Sequence, residues 1–408
     1  MSVDAKQLGA RAEAMIAALA PISAEPKRLV RLFLSAEHRS AADLTASWMH
    51  ESGMQVTEDA LGTLRGHWGE GKRLLIGSHL DAVVDGGNYD GPLGVIAGIL
   101  AVEHFHKIGK RLPFGIDVLA FGDEEGSRFP STLSSSAACA GAFEKETLAL
   151  KDRSGVSFGD ALKTYGKNTA EIPAAAYKRD DALGYVEVHI EQGPLLEAEN
   201  EPLGVVTGIV GQSRWRVTVT GEAGHAGTVP MNLRRDALAG AAAMMMMVER
   251  VAKANATNNM VATVGRIEAM PGATNIIPAT ATFTIDLRTM SDDIRQKAIA
   301  TIQHEARGIA EMRKLDVVFE PFHEAMAMVC DAKLQETLAA AISGLGHRPI
   351  KLSSGAGHDA QMMAKLCPSV MMFVRCRGGV SHNPAEYASP ADMGLAVAAL
   401  IGFIERFK

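Results

Sequence analysis

The chain has 408 residues, of which 47% are hydrophobic and 22% charged, the composition of an ordinary globular protein. Its net charge of −6 provides no basic surface, which argues against nucleic acid as a partner. The length exceeds what one hydrophobic core usually holds, and no apolar run reaches the roughly 18 residues needed to cross a bilayer, so we expect two domains and no membrane partner.

The first half of the chain alternates predicted helices and strands. In order they are helices at 5–20 and 40–52, a strand pair at 54–66, a strand at 73–78, a helix at 92–108, a strand at 114–121, helices around 139–149 and 157–165, and a strand at 184–190. Strands alternating with helices predict an α/β fold with a mostly parallel central sheet flanked by helices. In such sheets ligands bind beyond the carboxyl ends of the strands.

From about residue 211 the pattern changes to the β-α-β-β-α-β order of a small open sheet with helices on one face. The predicted elements are strands at 214–220, 261–269, 279–287 and 315–319 and helices at 233–254 and 291–312. The α/β pattern returns after residue 326, with helices at 331–345 and at the C-terminal end and a strand at 370–374. We therefore expect a large α/β domain of residues 1–210 and 327–408, with an α+β domain of residues 211–326 inserted into it.

The N-terminal residues and the cysteines bear on the compartment. Residues 1–20 have helical periodicity and lack the charged-then-apolar pattern of a signal peptide. The cysteines have no CxxC spacing and fit buried free thiols in a reducing compartment; they are Cys139, Cys330, Cys367 and Cys376. We therefore expect a cytoplasmic protein.

Polar residues that can bind metal follow four predicted strands of the α/β domain. They are His79 and Asp90, the adjacent Glu124 and Glu125, His189, and His382. Three imidazoles and two carboxylates fit two divalent ions with positions left open for water, and the remaining glutamate can serve as a general base. Singly, a loop histidine is usually a surface residue and a Glu-Glu pair a solvated one. Their occurrence at successive strand ends favours a functional site.

The sequence contains, in this order, HLD, GGNYDG, DEEGSRF, HIEQGP, GEAGHAGTVPM, GAGHDA and SHNPAE. These motifs resemble those of the amidases of the hydantoinase/carbamoylase family, and the resemblance runs over nearly the whole chain. That family contains N-carbamoyl-L-amino acid hydrolases, β-ureidopropionases and allantoate amidohydrolases. It belongs to the wider group of dinuclear metal-dependent peptidases and aminoacylases.

The resemblance implies a role for each matching residue of the large domain. Two divalent ions (Zn, Mn, Co or Ni) are implied, with Asp90 bridging them, Glu124 as the general base and Asp81 orienting His79. The implied metal ligands are His79, Asp90, Glu125, His189 and His382.

The resemblance also implies substrate-binding residues, namely Gln192, Gly357 and His358 in the large domain and His225, Asn275 and Arg288 in the inserted one. A planar guanidinium suits a carboxylate, and histidine donors at His225 and His358 suit a developing oxyanion. Without the resemblance, the simpler interpretation is that Arg288 is a charged surface residue and Asn275 a turn residue. In related enzymes the lid histidine can come from the partner subunit. A homodimer through the inserted lid domain is therefore implied, with His225 acting in its own or the partner's site.

The function implied is hydrolysis of the linear ureido amide of an N-carbamoyl-L-amino acid, releasing amino acid, ammonia and carbon dioxide. Allantoate and N-carbamoyl-β-alanine carry the same ureido group and a carboxylate, so both remain open as substrates. The set Arg288, Asn275 and Gln192 disfavours an aminoacylase or aminopeptidase. A metal-holding protein without catalysis is disfavoured by Glu124, because binding alone needs no base.

Overall fold

The computed structural model describes residues 3–408, and its regular elements are numbered here in chain order. The strands are β1 Gln55–Glu58, β2 Leu64–Trp68, β3 Arg73–His79, β4 Gly115–Phe121, β5 Ala182–Ile190, β6 Leu203–Ile209, β7 Gly211–Thr220, β8 Gly224–His225, β9 Val261–Thr263, β10 Ile267–Met270, β11 Ile276–Ile277, β12 Thr280–Thr289, β13 Asp316–Ala325, β14 Met328–Val329, β15 Ile350–Ser354 and β16 Ser369–Val374. The helices are α1 Ala5–Leu19, α2 Ala36–Glu51, α3 Pro92–Lys107, α4 Ser134–Cys139, α5 Phe158–Thr164, α6 Leu195–Ala198, α7 Ala237–Ala254, α8 Asp292–Arg313, α9 Ala332–Gly344, α10 Ala360–Met363 and α11 Pro390–Arg406.

The chain divides into two compact units. The first unit runs from the start of the described residues to Gly208 and again from Cys330 to Lys408, and the second is Ile209–Val329. The sequence placed these boundaries after residues 210 and 326. The second unit is thus inserted between two segments of the first.

A mixed sheet forms the centre of the first unit, with strand order β1-β2-β4-β3-β5-β16-β6 and β15 beside β6. The four central strands β4, β3, β5 and β16 are parallel to one another, and the pairs β1–β2, β2–β4 and β16–β6 are antiparallel. Almost every residue of the central strands is buried, because helices cover a parallel sheet on both faces. The predicted α/β fold with a mostly parallel central sheet is confirmed.

Two helices of the first unit are apolar around most of their circumference. In α3 and α11, most residues are buried, and α11 packs with α1, α3 and α9. A helix that is buried on all sides lies between a sheet and an outer layer rather than on the surface. This packing fixes the start of α3, which follows directly on the loop that carries Asp90.

The second unit is a separate antiparallel sheet with strand order β10-β12-β7-β13 and β9 beside β12. Alternate residues of β7 and β12 are buried with the apolar faces of α7 and α8, among them Val217, Val219, Phe283 and Ile285. The residues between them, mostly Thr and Arg, lie on the opposite face. This alternation is what a sheet covered on one face requires.

Several local predictions were wrong. The helix expected at 139–149 is α4, ending at Cys139, followed by a separate 3₁₀ helix Lys145–Ala149, and Gly141 with φ +70° lies between them. The strand expected at 261–269 is divided into β9 and β10 around Gly265. The sequence reading missed β6 and β15 and ended β13 six residues early.

The described residues show the state of the cysteines and the hydropathy of the helices. The four cysteines are buried, and no disulfide occurs within residues 3–408. None of the helices in this part of the chain combines the length and hydropathy that a membrane crossing requires.

Candidate active site

The parallel strands of the first unit bring the predicted metal ligands to one edge of the sheet. Because β4, β3, β5 and β16 are neighbours and run in the same direction, their carboxyl ends lie side by side. His79 is the last residue of β3, and His189 is the penultimate residue of β5. The other candidates follow strand ends: Asp90 after β3, Glu124 and Glu125 after β4, and His382 after β16.

Asp90 lies at the centre of the cluster and presents a different oxygen to each side. Its Oδ1 is 3.4 Å from His79 Nε2 and 3.1 Å from His189 Nε2. Its Oδ2 is 3.3 Å from His382 Nε2, which is itself 3.5 Å from Glu125 Oε2. Two groups of three possible ligands therefore share Asp90, and within each group the ligand atoms all lie within 4.8 Å of one another.

The unpaired buried atoms of this cluster fit a metal ion. Within residues 3–408, His79 Nε2, His189 Nε2 and Glu125 Oε1 are buried and make no hydrogen bond. A buried polar atom without a hydrogen bond costs about 1–3 kcal/mol, and a cation bound beside Asp90 would give each of these three atoms a ligand bond. Imidazole and carboxylate ligands without thiolate suit Zn²⁺, Mn²⁺, Co²⁺ or Ni²⁺.

The electrostatics of the cluster favour positive charge between its ligand atoms. Burial raises the pKa of Asp90, but the neighbouring imidazoles, His189 first, outweigh burial and hold that pKa well below its usual value. The hydrogen bond to Asp90 raises the pKa of His382 to about 9. Burial raises the pKa of Glu125 to about 7. Carboxylates and imidazoles so arranged bind a cation in preference to an anion.

Glu124 and Glu125 are adjacent in sequence and face different partners. Glu125 lies toward His382, whereas Glu124 Oε2 is 3.8 Å from His79 Nε2. The Glu124 side chain is 9% exposed, and burial raises its pKa well above the usual value. The Glu124 carboxylate lies within 4.8 Å of a ligand atom of His79, from one group, and of Glu125, from the other. A buried carboxylate close to both ligand groups is suited to accept a proton from water.

Asp81 supports the cluster through both its main chain and its side chain. Its main-chain carbonyl oxygen is 3.0 Å from His79 Nδ1, whereas its Oδ1 is 3.6 Å away. Its carboxylate accepts the N–H groups of Glu124 and Glu125, both at 3.3 Å. The sequence resemblance predicts that the Asp81 carboxylate orients His79. In the structure the Asp81 carbonyl makes the shorter contact with His79, and the carboxylate binds the turn after β4.

A glycine next to Asp90 lets this loop pass against His79. Gly91 has φ +83°, and a Cβ atom there would lie 2.5 Å from the His79 ring. Any other residue would be strained and would displace the imidazole. Positive φ also occurs at Asp123, Gln192 and His382, three non-glycine residues of the same strand-end loops. Strain of this kind accumulates at functional sites.

The remaining predicted residues of the first unit lie beside the same cluster. Gln192 donates from Nε2 to Asp90 Oδ2 at 2.7 Å. The ring of His358 packs edge-on against His189 with centroids 4.4 Å apart, and its Nε2 is 2.8 Å from Ser354 Oγ. Burial lowers the pKa of His358 well below its usual value, so this imidazole is neutral. Gly357, directly before it, is exposed.

The second unit carries the other three predicted residues at two distant places. His225 and Asn275 are neighbours, because β8 pairs with β11 and the Ala226 N–H donates to the Asn275 carbonyl at 2.9 Å. Arg288 is near the far end of β12, eight residues of extended strand from Thr280, or roughly 25 Å. Within this unit the structure therefore does not bring Arg288 together with His225 and Asn275.

Arg288 is held by a bidentate ion pair. Its Nε and Nη2 donate to the two carboxylate oxygens of Asp286, both at 2.9 Å. Asp286 Oδ2 also accepts from Arg214 Nε and Gln212 Nε2 at 2.9 Å. The position of the guanidinium is thus fixed by its own strand.

Sequence reasoning missed three polar residues that support the cluster, of which Glu187 and Glu386 are buried and Ser381 is partly buried. Glu386 accepts two main-chain N–H groups of the Asp90 loop, and Ser381 Oγ lies 2.8 Å from Asp90 Oδ2. Glu187 accepts the Ala360 N–H at 2.9 Å. Glu187 had a signal in the sequence, because residues two apart in a strand share a face and His189 is two residues on. The SHNPAE motif contained the other two.

The fold and the cluster define a metal-dependent hydrolase built on an α/β sheet. Residues 75–406 match the model of the Peptidase family M20/M25/M40, and the chain belongs to this family. It is an amidohydrolase of that family, and its relatives include enzymes named for non-peptide amide substrates.

Two curated relatives and one solved structure illustrate the similarity. An allantoate deiminase of Arabidopsis thaliana is 41% identical, over 95% of this chain and 80% of its own. An N-carbamoyl-L-amino acid amidohydrolase of Geobacillus stearothermophilus is 40% identical, over 91% of both chains. A crystal structure of a hydantoinase/carbamoylase family amidase from Burkholderia multivorans has a TM-score of 0.91 and 32% identity, covering 100% of this chain and 98% of its own.

Proposed function

We propose that the chain hydrolyses the linear ureido amide of N-carbamoyl-L-amino acids and releases the amino acid, ammonia and carbon dioxide. The observation that carries this proposal is the position of Asp90, whose two oxygens face two separate groups of imidazole and carboxylate ligands, with Glu124 beside them. A relative 40% identical is named as an N-carbamoyl-L-amino acid amidohydrolase, which supports the substrate class.

Two divalent ions are proposed for the cluster. His79, His189 and Asp90 would hold one, and Asp90, Glu125 and His382 the other. Such ions, when bound, polarise a carbonyl oxygen and lower the pKa of a water molecule toward neutrality. The His382 side chain is 50% exposed, whereas those of His79 and His189 are 1% exposed. The ion beside His382 is therefore expected to exchange more easily.

Glu124 is proposed as the general base. Its buried carboxylate accepts a proton from the water that attacks the ureido carbonyl carbon, and it then passes that proton to the leaving nitrogen. Asp81 accepts a hydrogen bond from the Glu124 main-chain N–H and so positions the backbone from which the Glu124 side chain extends. Of the two adjacent glutamates, Glu125 faces His382 and is the proposed metal ligand. Glu124 is therefore available to act as the base.

The substrate carboxylate and the developing oxyanion need donors. Arg288, Asn275 and Gln192 are proposed to bind the carboxylate, and His225 and the GAGHDA residues Gly357 and His358 to line the reacting end. In His225, Nδ1 accepts the Gly227 N–H at 3.1 Å, so a neutral ring carries its hydrogen on Nε2 and can donate there to an oxyanion. The ion pair with Asp286 presents the Arg288 guanidinium in one fixed orientation.

A homodimer through the second unit is part of the proposal. The length of β12 separates Arg288 from His225 and Asn275 by roughly 25 Å, which is far more than one ureido acid spans. This separation supports a twofold dimer in which Arg288 belongs to the active site of one subunit, and His225 and Asn275 of the same chain belong to the active site of the other. The second unit then acts as both lid and dimerisation domain.

A cytoplasmic location is also part of the proposal. Four buried cysteines without a disulfide among the described residues support a reducing, cytoplasmic location.

Allantoate is the second candidate substrate. It combines a ureido group with a carboxylate, as N-carbamoyl amino acids do, and a relative 41% identical is named as an allantoate deiminase. N-carbamoyl-β-alanine fits the same donors, with one more carbon between the ureido group and the carboxylate. An N-acyl amino acid or a peptide ranks lower, because the relatives reported above are named for N-carbamoyl amino acid and allantoate substrates.

A panel assay tests the proposal. Metal-free protein is reloaded with Mn²⁺, Zn²⁺, Co²⁺ or Ni²⁺, and ammonia release is measured from N-carbamoyl-L-amino acids, allantoate and N-carbamoyl-β-alanine, with an N-acetyl amino acid and a dipeptide assayed by amine release. We expect the highest kcat/KM on an N-carbamoyl-L-amino acid and no turnover by the metal-free protein. Turnover of the dipeptide or N-acetyl amino acid alone would overturn the ureido assignment, and no turnover of any compound would overturn the hydrolase mechanism.

A further inference from the structure

Glu386 is a buried carboxylate that the reaction proposed above does not use. It lies in the segment 375–389 after β16, called here the His382 loop, and it is 5% exposed. Its two main-chain partners lie in the segment 80–91 after β3, called here the Asp90 loop. Almost 300 positions of sequence separate these two loops, yet they supply two of the three residues in one ligand group, Asp90 and His382, whose facing atoms are 3.3 Å apart.

The carboxylate of Glu386 engages both loops at once. Oε1 accepts the N–H groups of Tyr89 at 2.9 Å and Asp90 at 3.1 Å. Oε2 lies 2.9 Å from Ser381 Oγ, the residue next to His382. Ser381 Oγ is also 2.8 Å from Asp90 Oδ2, so a continuous chain of contacts runs from the main chain of Asp90 through Glu386 and Ser381 back to its side chain.

The Asp90 loop is shaped to admit this carboxylate. A Cβ atom at Gly87 would lie 2.2 Å from the carboxyl carbon and Oε1 of Glu386. A side chain there would force Glu386 away from the two N–H groups, so the glycine and the glutamate form one fitted contact. A buried carboxylate is costly unless hydrogen bonds compensate it, and here both oxygens have partners.

We infer that Glu386 is a positioning residue that sets the distance between the Asp90 loop and the His382 loop, and so the geometry of the metal site formed by Asp90, Glu125 and His382. The inference rests on the metal centre proposed above. Residues that hold metal ligands by hydrogen bonds typically change metal affinity by about 10–100-fold when they are replaced. The site formed by His79 and His189 is buried in the sheet edge and depends less on this contact.

Three substitutions separate positioning from simple bulk. Glu386→Gln keeps a carbonyl oxygen for the two N–H groups and an amide that can donate to Ser381. Glu386→Asp keeps the charge but is shorter by one methylene group and cannot reach both loops. Glu386→Ala removes the contact. Asp59→Ala is the matched control: Asp59 also accepts two main-chain N–H groups, from Leu61 at 2.8 Å and Thr63 at 3.0 Å, but at the β1–β2 turn.

The readout is binding of Mn²⁺ or Zn²⁺ alone to metal-free protein, measured by titration calorimetry with thermal unfolding in parallel. We expect the weaker of two binding events to lose about 10–100-fold in affinity in Glu386→Ala and Glu386→Asp, and to stay within about threefold of wild type in Glu386→Gln. Asp59→Ala should unfold at lower temperature with wild-type metal affinity.

Two results would overturn the inference. One is wild-type metal affinity in both Glu386→Ala and Glu386→Asp, and the other is an equal loss of affinity in Asp59→Ala. If Glu386→Ala does not fold, the comparison of Glu386→Asp with Glu386→Gln decides, since equal affinity in those two contradicts the inference. Failure of wild-type protein to bind metal would instead contradict the proposed function, so the two failures are distinguishable.

Discussion

The cluster of candidate metal ligands in the first unit and the predicted substrate residues of the second are organised differently. The cluster is built at the ends of four neighbouring parallel strands, and most of its side chains are nearly inaccessible to solvent. His225 and Asn275 are exposed on short paired segments, and Arg288 lies at the other end of β12. The candidate ligands of the first region all lie within one unit, whereas the predicted residues of the second lie at two separate places.

This difference matches the different requirements of metal binding and substrate binding. A metal centre requires fixed distances, and a rigid sheet edge with Asp81 and Glu386 holding its loops provides them. Substrate binding requires access, and residues on a separate unit can approach after the substrate has entered. We therefore expect substitutions in the first region to affect metal binding or turnover. In the second region, replacing Arg288 should affect substrate affinity, and replacing His225, the proposed oxyanion donor, should affect turnover.

The largest expected effect is that of Glu124→Gln. The amide cannot accept a proton, so kcat should fall by more than the ~10²–10³ typical of losing one stabilising donor, while metal content stays at the wild-type level. Glu125→Gln is the matched control, because the adjacent side chain faces His382 and its loss should reduce metal content as well. Near-normal turnover by Glu124→Gln would contradict the assignment of the base.

Arg288→Met tests the second region. A bidentate guanidinium–carboxylate contact is worth about 1.5–3 kcal/mol, so KM should rise roughly 10–100-fold with little change in kcat. Arg214→Met is the control, because Arg214 also donates to Asp286 but is not assigned to the substrate. An equal rise in KM for both variants would show that only the ion-pair network matters.

A mixing experiment tests whether the half-sites combine across a dimer. Glu124→Gln and His225→Ala subunits should each be nearly inactive, because one lacks the proposed base and the other the proposed oxyanion donor. We expect a mixture to recover about a quarter of wild-type activity, since half of the random dimers contain one intact composite site. Mixing Glu124→Gln with Glu125→Gln is the control and should recover nothing. If the first mixture also stays inactive after subunit exchange is demonstrated, His225 acts within its own chain.

The smallest expected effect concerns the pH dependence of stability. Burial raises the pKa of Asp286, but hydrogen bonds from Arg288, Arg214 and Gln212 outweigh burial and lower it to about 2. A lowered folded-state pKa stabilises the fold above the unfolded value of about 3.9, and the contribution is lost as pH falls toward 2. Asp286→Asn should therefore lower Tm by a few degrees at most at pH 7.

The pH profile provides the check on that prediction. The difference in Tm between wild type and Asp286→Asn should be constant from pH 7 to about pH 5 and shrink below about pH 4. A difference that grows in acid would mean that the carboxylate does not stabilise the fold in its ionised form.

Much of the α/β fold could be predicted because its central strands are continuous apolar runs and its helices have clear periodicity. Strand β6 was missed because Gly204 and Gly208 interrupt its pattern, and the helix expected to 149 ends near Gly141 because that residue adopts positive φ. The inserted unit was recognised by alternation in β7 and β12, which its one covered face requires.

The candidate ligands could be found in the sequence because each follows a predicted strand, and parallel strands bring their ends together. The sequence could not indicate that Asp90 Oδ1 and Oδ2 face different ligand groups, or that the Asp81 carbonyl contacts His79. It also could not indicate that Glu386 is hydrogen-bonded to both the Asp90 loop and Ser381. These depend on distances between loops far apart in the chain. The separation of Arg288 from His225 is likewise a property of strand length and register, which motifs do not record.

Metal stoichiometry tests the central claim most directly. Metal-free wild-type protein, the variant His382→Ala and the variant Asp90→Ala are titrated with Mn²⁺ or Zn²⁺, and bound metal is measured per chain. Because Asp90 faces both ligand groups and His382 only one, we expect two equivalents for wild type, one for His382→Ala and less than one for Asp90→Ala. A single equivalent in wild type, or two equivalents retained by Asp90→Ala, would contradict a dinuclear centre bridged by Asp90.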